Sequence, residues 1–134
     1  MRKGKEYRIG EIVLAKLHGD GHIQDGVRPV VIVQNDVGNR YSPTLQVIPL
    51  TSKMTKKPLP THVFIPQGVG SLTKDSIAQC EGQRVINKQD VLNHIGELPD
   101  EYMSAICMAC IISTPLLQYL SQQQFGNIYS KLAA

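Results

Sequence analysis

Pro29-Val30-Val31-Ile32-Val33 decides the fold class of this 134-residue chain. The run is short, continuous and rich in β-branched residues, which is typical of a β-strand with both faces buried. We therefore expect this segment to lie in the interior of a β-structure.

Further strands are predicted along the first two thirds of the chain, at residues 11–17, 45–50, 62–65 and 76–86. Pro49 marks an edge or a bulge in its strand, and Gly82 divides the last segment into one long strand or a pair. Residues 35–39, Asn-Asp-Val-Gly-Asn, have the composition of a turn. Several short strands separated by turns indicate a small barrel or sandwich.

The last third changes to a helical period. Pro99 and Asp100 suit a helix start, and apolar residues then recur at helical spacing, at Met103, Ile106, Cys107, Cys110 and Ile111. We expect Met103, Ile106 and Ile111 to pack in the core or in a dimer interface, and the cysteines to be buried. Thr114 and Pro115 predict the start of a second helix. The chain is expected to be one domain, with a core at about residues 10–112 and a helical extension at 113–134.

Composition narrows the class of protein. No apolar stretch reaches the roughly 20 residues of a membrane span, and no apolar segment follows the basic N-terminus, so we expect a cytoplasmic protein. The net charge of +3 permits a nucleic-acid partner without requiring one. Cys107 and Cys110 have only Cys80 as a companion, one thiolate short of a four-cysteine zinc site. We expect no disulfide, metal or cofactor.

The residues alone offer one candidate cationic site. Arg28 lies where a polar loop meets the buried strand, which gives it a rigid base and an open neighbour. Thr51 and Ser52 end another strand and precede a loop with three lysines, Lys53, Lys56 and Lys57. A surface arginine and a strand-end threonine without function are the alternative at this point.

Several sequence blocks then resemble one family. They are GEIV (10–13), GVRPVVIVQND (26–36), NRYSPT (39–44), PLTS (49–52), LPTHV (59–63), LTKDS (72–76), EGQRVINK (81–88) and IGEL (95–98). Their order and spacing over roughly residues 10–112 are similar to those of the MazF/PemK toxin ribonucleases. The joined Gly-x-Arg-Pro and Gln-Asn-Asp blocks are the most specific part of the match.

The resemblance implies a mainly β fold with C-terminal helices, a small SH3-like barrel that forms a homodimer with an RNA groove across the interface. It implies a sequence-specific, metal-independent endoribonuclease that cuts single-stranded mRNA and thereby inhibits translation and growth. Attack by the 2′-hydroxyl would leave a 2′,3′-cyclic phosphate and a free 5′-hydroxyl. It also implies a cognate antitoxin of the MazE/PemI type.

Carried over by position, the resemblance makes Arg28 and Thr51 the catalytic pair. The groove positions that it assigns to RNA contact are Gln24, Asn35, Ser52, Glu81 and Arg84. The three lysines at 53, 56 and 57 would hold phosphates. His22 has the side-chain type suited to accept the 2′-hydroxyl proton, although a solvent-exposed loop histidine is the alternative. His62 is expected to form structural hydrogen bonds.

One block departs from the family, because Gly82 stands where relatives carry glutamine and the amide follows at Gln83. A bulge at Gly82 would turn Gln83 toward the RNA groove beside Arg84, whereas without it Gln83 would point elsewhere. Two other functions stay open: a gyrase-binding toxin of the CcdB type, and a non-catalytic RNA-binding barrel. The first expects a C-terminal tryptophan, which this chain lacks, and the second expects many exposed aromatic residues.

Overall fold

The computed structural model describes residues 6–19, 26–54 and 57–133. This part of the chain forms seven strands: β1 (Glu11–Leu17), β2 (Gly26–Ile32), β3 (Thr44–Thr51), β4 (His62–Ile65), β5 (Ser76–Gln79), β6 (Arg84–Asn87) and β7 (Val91–Glu97). It also forms three α-helices: α1 (Asp36–Tyr41), α2 (Asp100–Ser113) and α3 (Gln122–Ala133). Short 3₁₀ turns lie at Val69–Ser71, Cys80–Gly82, Lys88–Asp90 and Leu116–Tyr119.

All of the strand pairs are antiparallel. β2 lies between β1 and β3, β7 pairs with the other side of β1, and β4 pairs with β5. β3 has two partners on its second side, β6 at residues 44–47 and β5 at residues 50–51. The result is a small barrel-like β-structure, followed by the helices, in which β3 belongs to both parts of the sheet.

β2 is buried on both faces, as its apolar run predicted. Val31 packs in a core that is closed by α2, β4 and β5, which we call the helix-side core. Val30 and Ile32 point the other way, into a core formed by β1, β2, β3, β6 and β7, the strand-side core. All three side chains have no exposed surface. Burial of each aliphatic side chain is worth about 1.5–3 kcal/mol, so the run stabilises both sides of the sheet.

Pro49 lies inside a central strand and not at an edge. Its backbone is opposite Val30 of β2, while on the other side it falls between the stretch that pairs with β6 and the stretch that pairs with β5. No ladder hydrogen bond is due in that gap, so a residue without an N–H is tolerated there. The prediction of an edge or bulge is thus corrected to a change of partner strand.

The predicted turn at residues 35–39 is the first part of α1. The Asn35 side chain accepts a hydrogen bond from the backbone N–H of Gly38 (2.8 Å) and caps the helix. Asn39 is buried and bonded to Gln34 in both directions, at 3.1 Å and 2.8 Å. Asparagine, aspartate and glycine serve turns and helix caps alike, which is why composition did not separate the two.

The two remaining predictions for this region have different outcomes. The segment 76–86 was predicted to be one long strand or a pair of strands. It forms a pair, and the Cys80–Gly82 3₁₀ turn lies between the two strands. The bulge proposed at Gly82 is therefore wrong. β7 was not predicted at all.

The helices begin where local chemistry favours it. α2 starts at Asp100 as predicted, and Met103, Ile106 and Cys110 face the helix-side core, whereas Cys107 is exposed. The second helix was misplaced: residues after Pro115 form a 3₁₀ turn, and α3 starts only at Gln122.

A reciprocal cap explains the late start of α3. Ser121 Oγ accepts from the Gln124 N–H at 3.1 Å, and Gln124 Oε1 accepts from the Ser121 N–H at 3.0 Å. None of the helices in the described ranges has the length and apolar content needed to cross a membrane.

Candidate active site

The pairing of β2 with β3 brings Arg28 and Thr51 to one end of the sheet. Val30 is opposite Pro49 and Val31 opposite Ile48. The paired stretch ends there, and Arg28 and Thr51 each lie two residues beyond the Val30–Pro49 pair, on the same face of their strands. A guanidinium and a hydroxyl that are 23 positions apart in sequence can therefore act on one small group.

Both side chains lie on the face of the strand-side core. Arg28 alternates with Val30 and is also opposite Ala15 of β1, and both of these neighbours are fully buried. Thr51 is itself only 7% exposed. Its Oγ1 accepts a hydrogen bond from the backbone N–H of Lys53 at 3.1 Å, which leaves the hydroxyl proton available for another acceptor. The close-packed apolar floor holds the pair at the rim of the core.

Arg84 reaches the same end of the barrel from another strand. β1 ends at Leu17, β2 begins at Gly26 and β3 ends at Thr51, so three strand ends lie there, while β6 begins opposite Val47, four residues before Thr51. The Arg84 guanidinium donates to the backbone carbonyl of His18, just after β1. Arg84 thereby fixes the start of the loop that leads to Arg28. The predicted loop residues His22 and Gln24 lie outside the described residues.

The lysine loop leaves the site directly from Thr51. Ser52, Lys53 and Lys57 are all exposed, and Lys56 lies outside the described residues. With Arg28 and Arg84 nearby in the fold, this end of the barrel is cationic. Such a surface suits an anionic polymer.

Glu81 is bound within the protein. Its carboxylate accepts hydrogen bonds from Thr61 Oγ1 at 2.9 Å and from His62 Nε2 at 3.0 Å. We call this group of three residues the Glu81 clamp. Burial alone would raise the pKa of Glu81, but a backbone hydrogen bond and the bonds from His62 and Thr61 outweigh it and lower the pKa. The expected structural role of His62 is confirmed, while Thr61 was missed although it lies in the LPTHV block.

Asn35 and Gln83 are not brought to the Arg28 end. Asn35 follows the opposite end of β2, roughly 20 Å of strand from Arg28, and its side chain caps α1. Gln83 lines an apolar cavity of about 910 Å³ on the helix side of the sheet, which we call the α2 groove. Arg84 also borders this cavity, but it is opposite Val47, which points into the strand-side core, and its guanidinium reaches the carbonyl of His18.

The α2 groove has two walls. One wall is the sheet, and the other is formed by α2 and the turn that follows it. The sheet contributes Val33, Gln46 and Val85, and the helix and turn contribute Met103, Cys107, Ile111, Leu116 and Leu117.

Cys80 and Cys110 have the properties of structural residues, whereas Cys107 is exposed. Burial, followed by the neighbouring Cys110 thiol and the Glu81 charge, raises the pKa of Cys80 to about 12. Burial also raises the pKa of Cys110. Thiols with raised pKa values are poor nucleophiles and poor metal ligands. Within the described ranges, no three His, Cys, Asp or Glu side chains come close enough together to hold a metal ion.

Comparison with known proteins places this chain in a family. Residues 8–113 match the model of the PemK-like, MazF-like toxins of type II toxin–antitoxin systems. The Bacillus subtilis (strain 168) protein called endoribonuclease EndoA is 41% identical over 99 residues, which cover 74% of this chain and 85% of that protein.

Solved structures share the fold. MazF (Form-I) from Deinococcus radiodurans superposes with a TM-score of 0.70 at 19% identity, over 81% of this chain and 96% of that one. The Mycobacterium tuberculosis toxin MazF-mt6 gives 0.66 at 25% identity, over 77% and 94%. A mycobacterial endoribonuclease, solved in complex with its cognate antitoxin, gives 0.67 at 21% identity, over 82% and 96%. The family match and the B. subtilis relative together show that this chain belongs to the PemK-like, MazF-like toxins of type II toxin–antitoxin systems.

Proposed function

We propose that this protein is a toxin endoribonuclease that cuts single-stranded RNA, with Arg28 and Thr51 as its catalytic residues. The observation that carries the proposal is that Arg28 and Thr51 lie on one face, each two residues beyond the Val30–Pro49 pair, at a cationic end of the barrel. The 41% identical relative is named as an endoribonuclease, which supports the same activity here.

The chemistry fits these side chains. The 2′-hydroxyl oxygen attacks the adjacent phosphorus, the bond to the 5′-oxygen breaks, and that oxygen leaves with a proton. The products are a 2′,3′-cyclic phosphate and a 5′-hydroxyl. Negative charge gathers on the phosphoryl oxygens in the transition state, where a planar guanidinium such as that of Arg28 can donate to two oxygens at once. The Thr51 hydroxyl adds one further donor.

Arg28 does not serve as the base in this scheme, because a guanidinium keeps its proton throughout the neutral range. His22 is the candidate acceptor for the 2′-hydroxyl proton on chemical grounds. None of these roles requires a metal ion, so we infer metal-independent cleavage.

RNA binding would use the cations around the pair. Lys53 and Lys57 would hold phosphates irrespective of sequence, together with Lys56 in the same loop. Ser52 and Arg84 are candidates for closer contact at the Arg28 end, and Gln24 belongs with them by sequence position. Asn35, Glu81 and Gln83 lie elsewhere in the protomer, so any contact from them requires a groove that continues across a homodimer interface.

Partners and location follow from the activity. An enzyme that destroys cellular RNA requires an inhibitor, and we infer a cognate antitoxin with an acidic, disordered segment that folds along the cationic end and covers Arg28. The substrate is in the cytoplasm, which is where we place the protein. We treat the whole chain as one domain of this type with a helical extension after residue 113.

The proposal is tested by incubating the purified protein with RNA of mixed sequence and mapping the new 5′ ends. We expect cuts at one short motif, with 5′-hydroxyl and cyclic phosphate ends, that persist in excess EDTA. Intact RNA, or cleavage that EDTA abolishes and magnesium restores, would contradict it.

A further inference from the structure

α3 presents an apolar stripe that is exposed in the single chain. Phe125, Ile128, Tyr129 and Leu132 recur at helical spacing and are 51%, 44%, 66% and 76% exposed. Neither of the two cores includes a residue of α3. Helices of about 12 residues are marginal in water without packing. α3 therefore needs a surface on which its stripe is buried.

The same chain carries an apolar surface of matching character, the α2 groove. Its walls are the exposed or half-buried side chains of Met103, Cys107, Ile111 and Leu117, facing Val85 on β6. The cavity of about 910 Å³ is large enough to admit several side chains of a helix. Leu116 and Leu117 on its rim belong to the turn that leads into α3.

We propose that α3 of one copy of this chain packs into the α2 groove of a second copy, and that the exchange is reciprocal. Each copy then offers one helix and one groove, and both are filled when two copies have met. Such a two-fold arrangement closes at the dimer and leaves neither surface open for further growth. The interface extends beyond residues 8–113, the part that the family model matches.

The charge of α3 favours a second copy over other partners. Lys131 is the single charged residue from Gln122 to Ala133, and the remaining polar residues are amides, a serine and the Tyr129 hydroxyl. A helix that binds a membrane surface or RNA carries several lysines or arginines, and so would a helix that binds an acidic antitoxin segment. The groove walls are mostly apolar, with Glu81, Gln83 and Arg84 among the polar exceptions on the sheet side, so the two surfaces match mainly by hydrophobicity.

The area is sufficient for a stable pair. At their present exposure the two aromatic and two aliphatic side chains of the stripe would remove on the order of 400 Å² from water, and the groove walls would remove about half of that area. Two-fold repetition brings the total to about 1,200 Å², the lower end of the range for specific protein interfaces.

Cys107 provides a native reporter for the test, because its thiol is exposed on the groove wall. In the full-length Ile128→Cys variant, mild oxidation with glutathione disulfide should link residue 128 of one copy to Cys107 of another. Asn127→Cys is the matched control, since position 127 lies on the opposite side of α3. Mixing isotopically labelled and unlabelled protein, followed by peptide mass spectrometry, separates links between copies from links within one copy.

We expect a 107–128 link between copies in the Ile128→Cys variant, and at most a trace in the control. A link within one copy would mean that α3 folds back on its own groove, and a 128–128 link would mean that two α3 helices pair. Either result, or equal linking at 127 and 128, overturns the proposal.

A second measurement does not depend on disulfide chemistry. Tyr129→Glu should raise the dimer dissociation constant by about 10-fold or more, whereas Asn127→Glu should change it less than about 2-fold. Equal effects of the two variants contradict the proposal. All of these variants leave Arg28 and Thr51 intact, so RNA cleavage is assayed separately, and its presence or absence does not bear on the interface.

Discussion

His62 Nε2 lies 3.0 Å from Glu81 Oε2, and this contact joins the start of β4 to the turn between β5 and β6. The backbone N–H of Leu59 donates to the other ring nitrogen of His62 at 3.3 Å. Nδ1 is therefore an acceptor, and Nε2 carries the hydrogen that it donates to the carboxylate. His62 and the Glu81 carboxylate thus hold the end of the lysine loop against the turn that leads to β6, the strand that begins at Arg84.

The Glu81 clamp gives a pH-dependent stability prediction. The pKa of Glu81 in the folded protein is lowered, so its contribution is present above the unfolded value, near 4.5, and is lost as pH falls through the folded pKa. Glu81→Gln should lower the free energy of unfolding by about 0.5–1.5 kcal/mol at pH 7. The difference from wild type should shrink at pH 3.5. Urea unfolding at both pH values measures it, and a difference independent of pH would show that the charge of Glu81 contributes nothing.

Arg28 carries the central prediction for activity. Arg28→Ala should lower the cleavage rate by about 10²–10³-fold, the usual loss when one transition-state donor is removed. The melting temperature should change little, because the guanidinium is at the rim of the core. Arg40→Ala is the matched control: Arg40 is an exposed arginine of α1 that pairs with Glu6 at 3.4 Å. An Arg28→Ala variant that cuts RNA at the rate of the Arg40→Ala variant would remove Arg28 from the mechanism.

Two substitutions at Thr51 separate the effect of its hydroxyl group on the cleavage rate from the effect of its side-chain shape. Thr51→Val keeps the β-branched volume at this buried end of β3 but removes the hydroxyl, whereas Thr51→Ser keeps the hydroxyl. We expect about a 10-fold or greater loss of cleavage rate in the valine variant and a much smaller loss in the serine variant. Single-turnover rates with saturating enzyme report the chemical step. Equal rates for the two variants would show that the hydroxyl is not a donor to the phosphate.

The sequence predicted those elements whose signal is local. β2 could be predicted because Val30, Val31 and Ile32 are apolar on both faces, and the two cores that they join account for that pattern. β7 could not, because its apolar and polar residues do not alternate: Val91 is buried, the apolar Leu92 beside it is exposed, and the polar Asn93 and His94 follow. Its place in the sheet depends on β1, far away in the sequence.

The candidate active site could not be predicted from local sequence signals either. Nothing in the spacing of Arg28 and Thr51 indicates that they lie at one end of the sheet, since that placement is set by the pairing of Val30 to Ile32 with β3. The family resemblance predicts the pair, and its role in cleavage stays a prediction. The Glu81 clamp joins positions 19 and 20 residues apart through a strand pair and a turn, so no local pattern indicates it.

Asn35 gives a test between capping and RNA contact. Asn35→Asp keeps a good helix cap, so stability should be close to that of wild type, whereas Asn35→Ala should cost about 1 kcal/mol. Since the side-chain oxygen already accepts from the Gly38 N–H, we expect the cleavage map of the aspartate variant to match that of wild type. A changed motif in that variant, with unchanged stability, would instead assign Asn35 to RNA recognition across a dimer groove.

The lysine loop should contribute affinity without sequence preference. Lys53→Ala combined with Lys57→Ala removes two exposed cations next to Thr51, while Lys131→Ala on α3 removes an exposed lysine elsewhere and serves as the control. When a phosphate contact is lost, RNA binding releases fewer counterions. The slope of the logarithm of the binding constant against the logarithm of the salt concentration should therefore become shallower by about 0.7 per lysine for single-stranded RNA. Because these contacts are to phosphates, binding should weaken by the same factor for RNAs with and without the cleavage motif.

Fluorescence anisotropy at several salt concentrations measures the binding constant. All variants are made in an Arg28→Ala background, which prevents cleavage during the measurement. If the slope equals that of the Lys131→Ala control, the loop does not contact phosphates, and the RNA path must leave Thr51 in another direction.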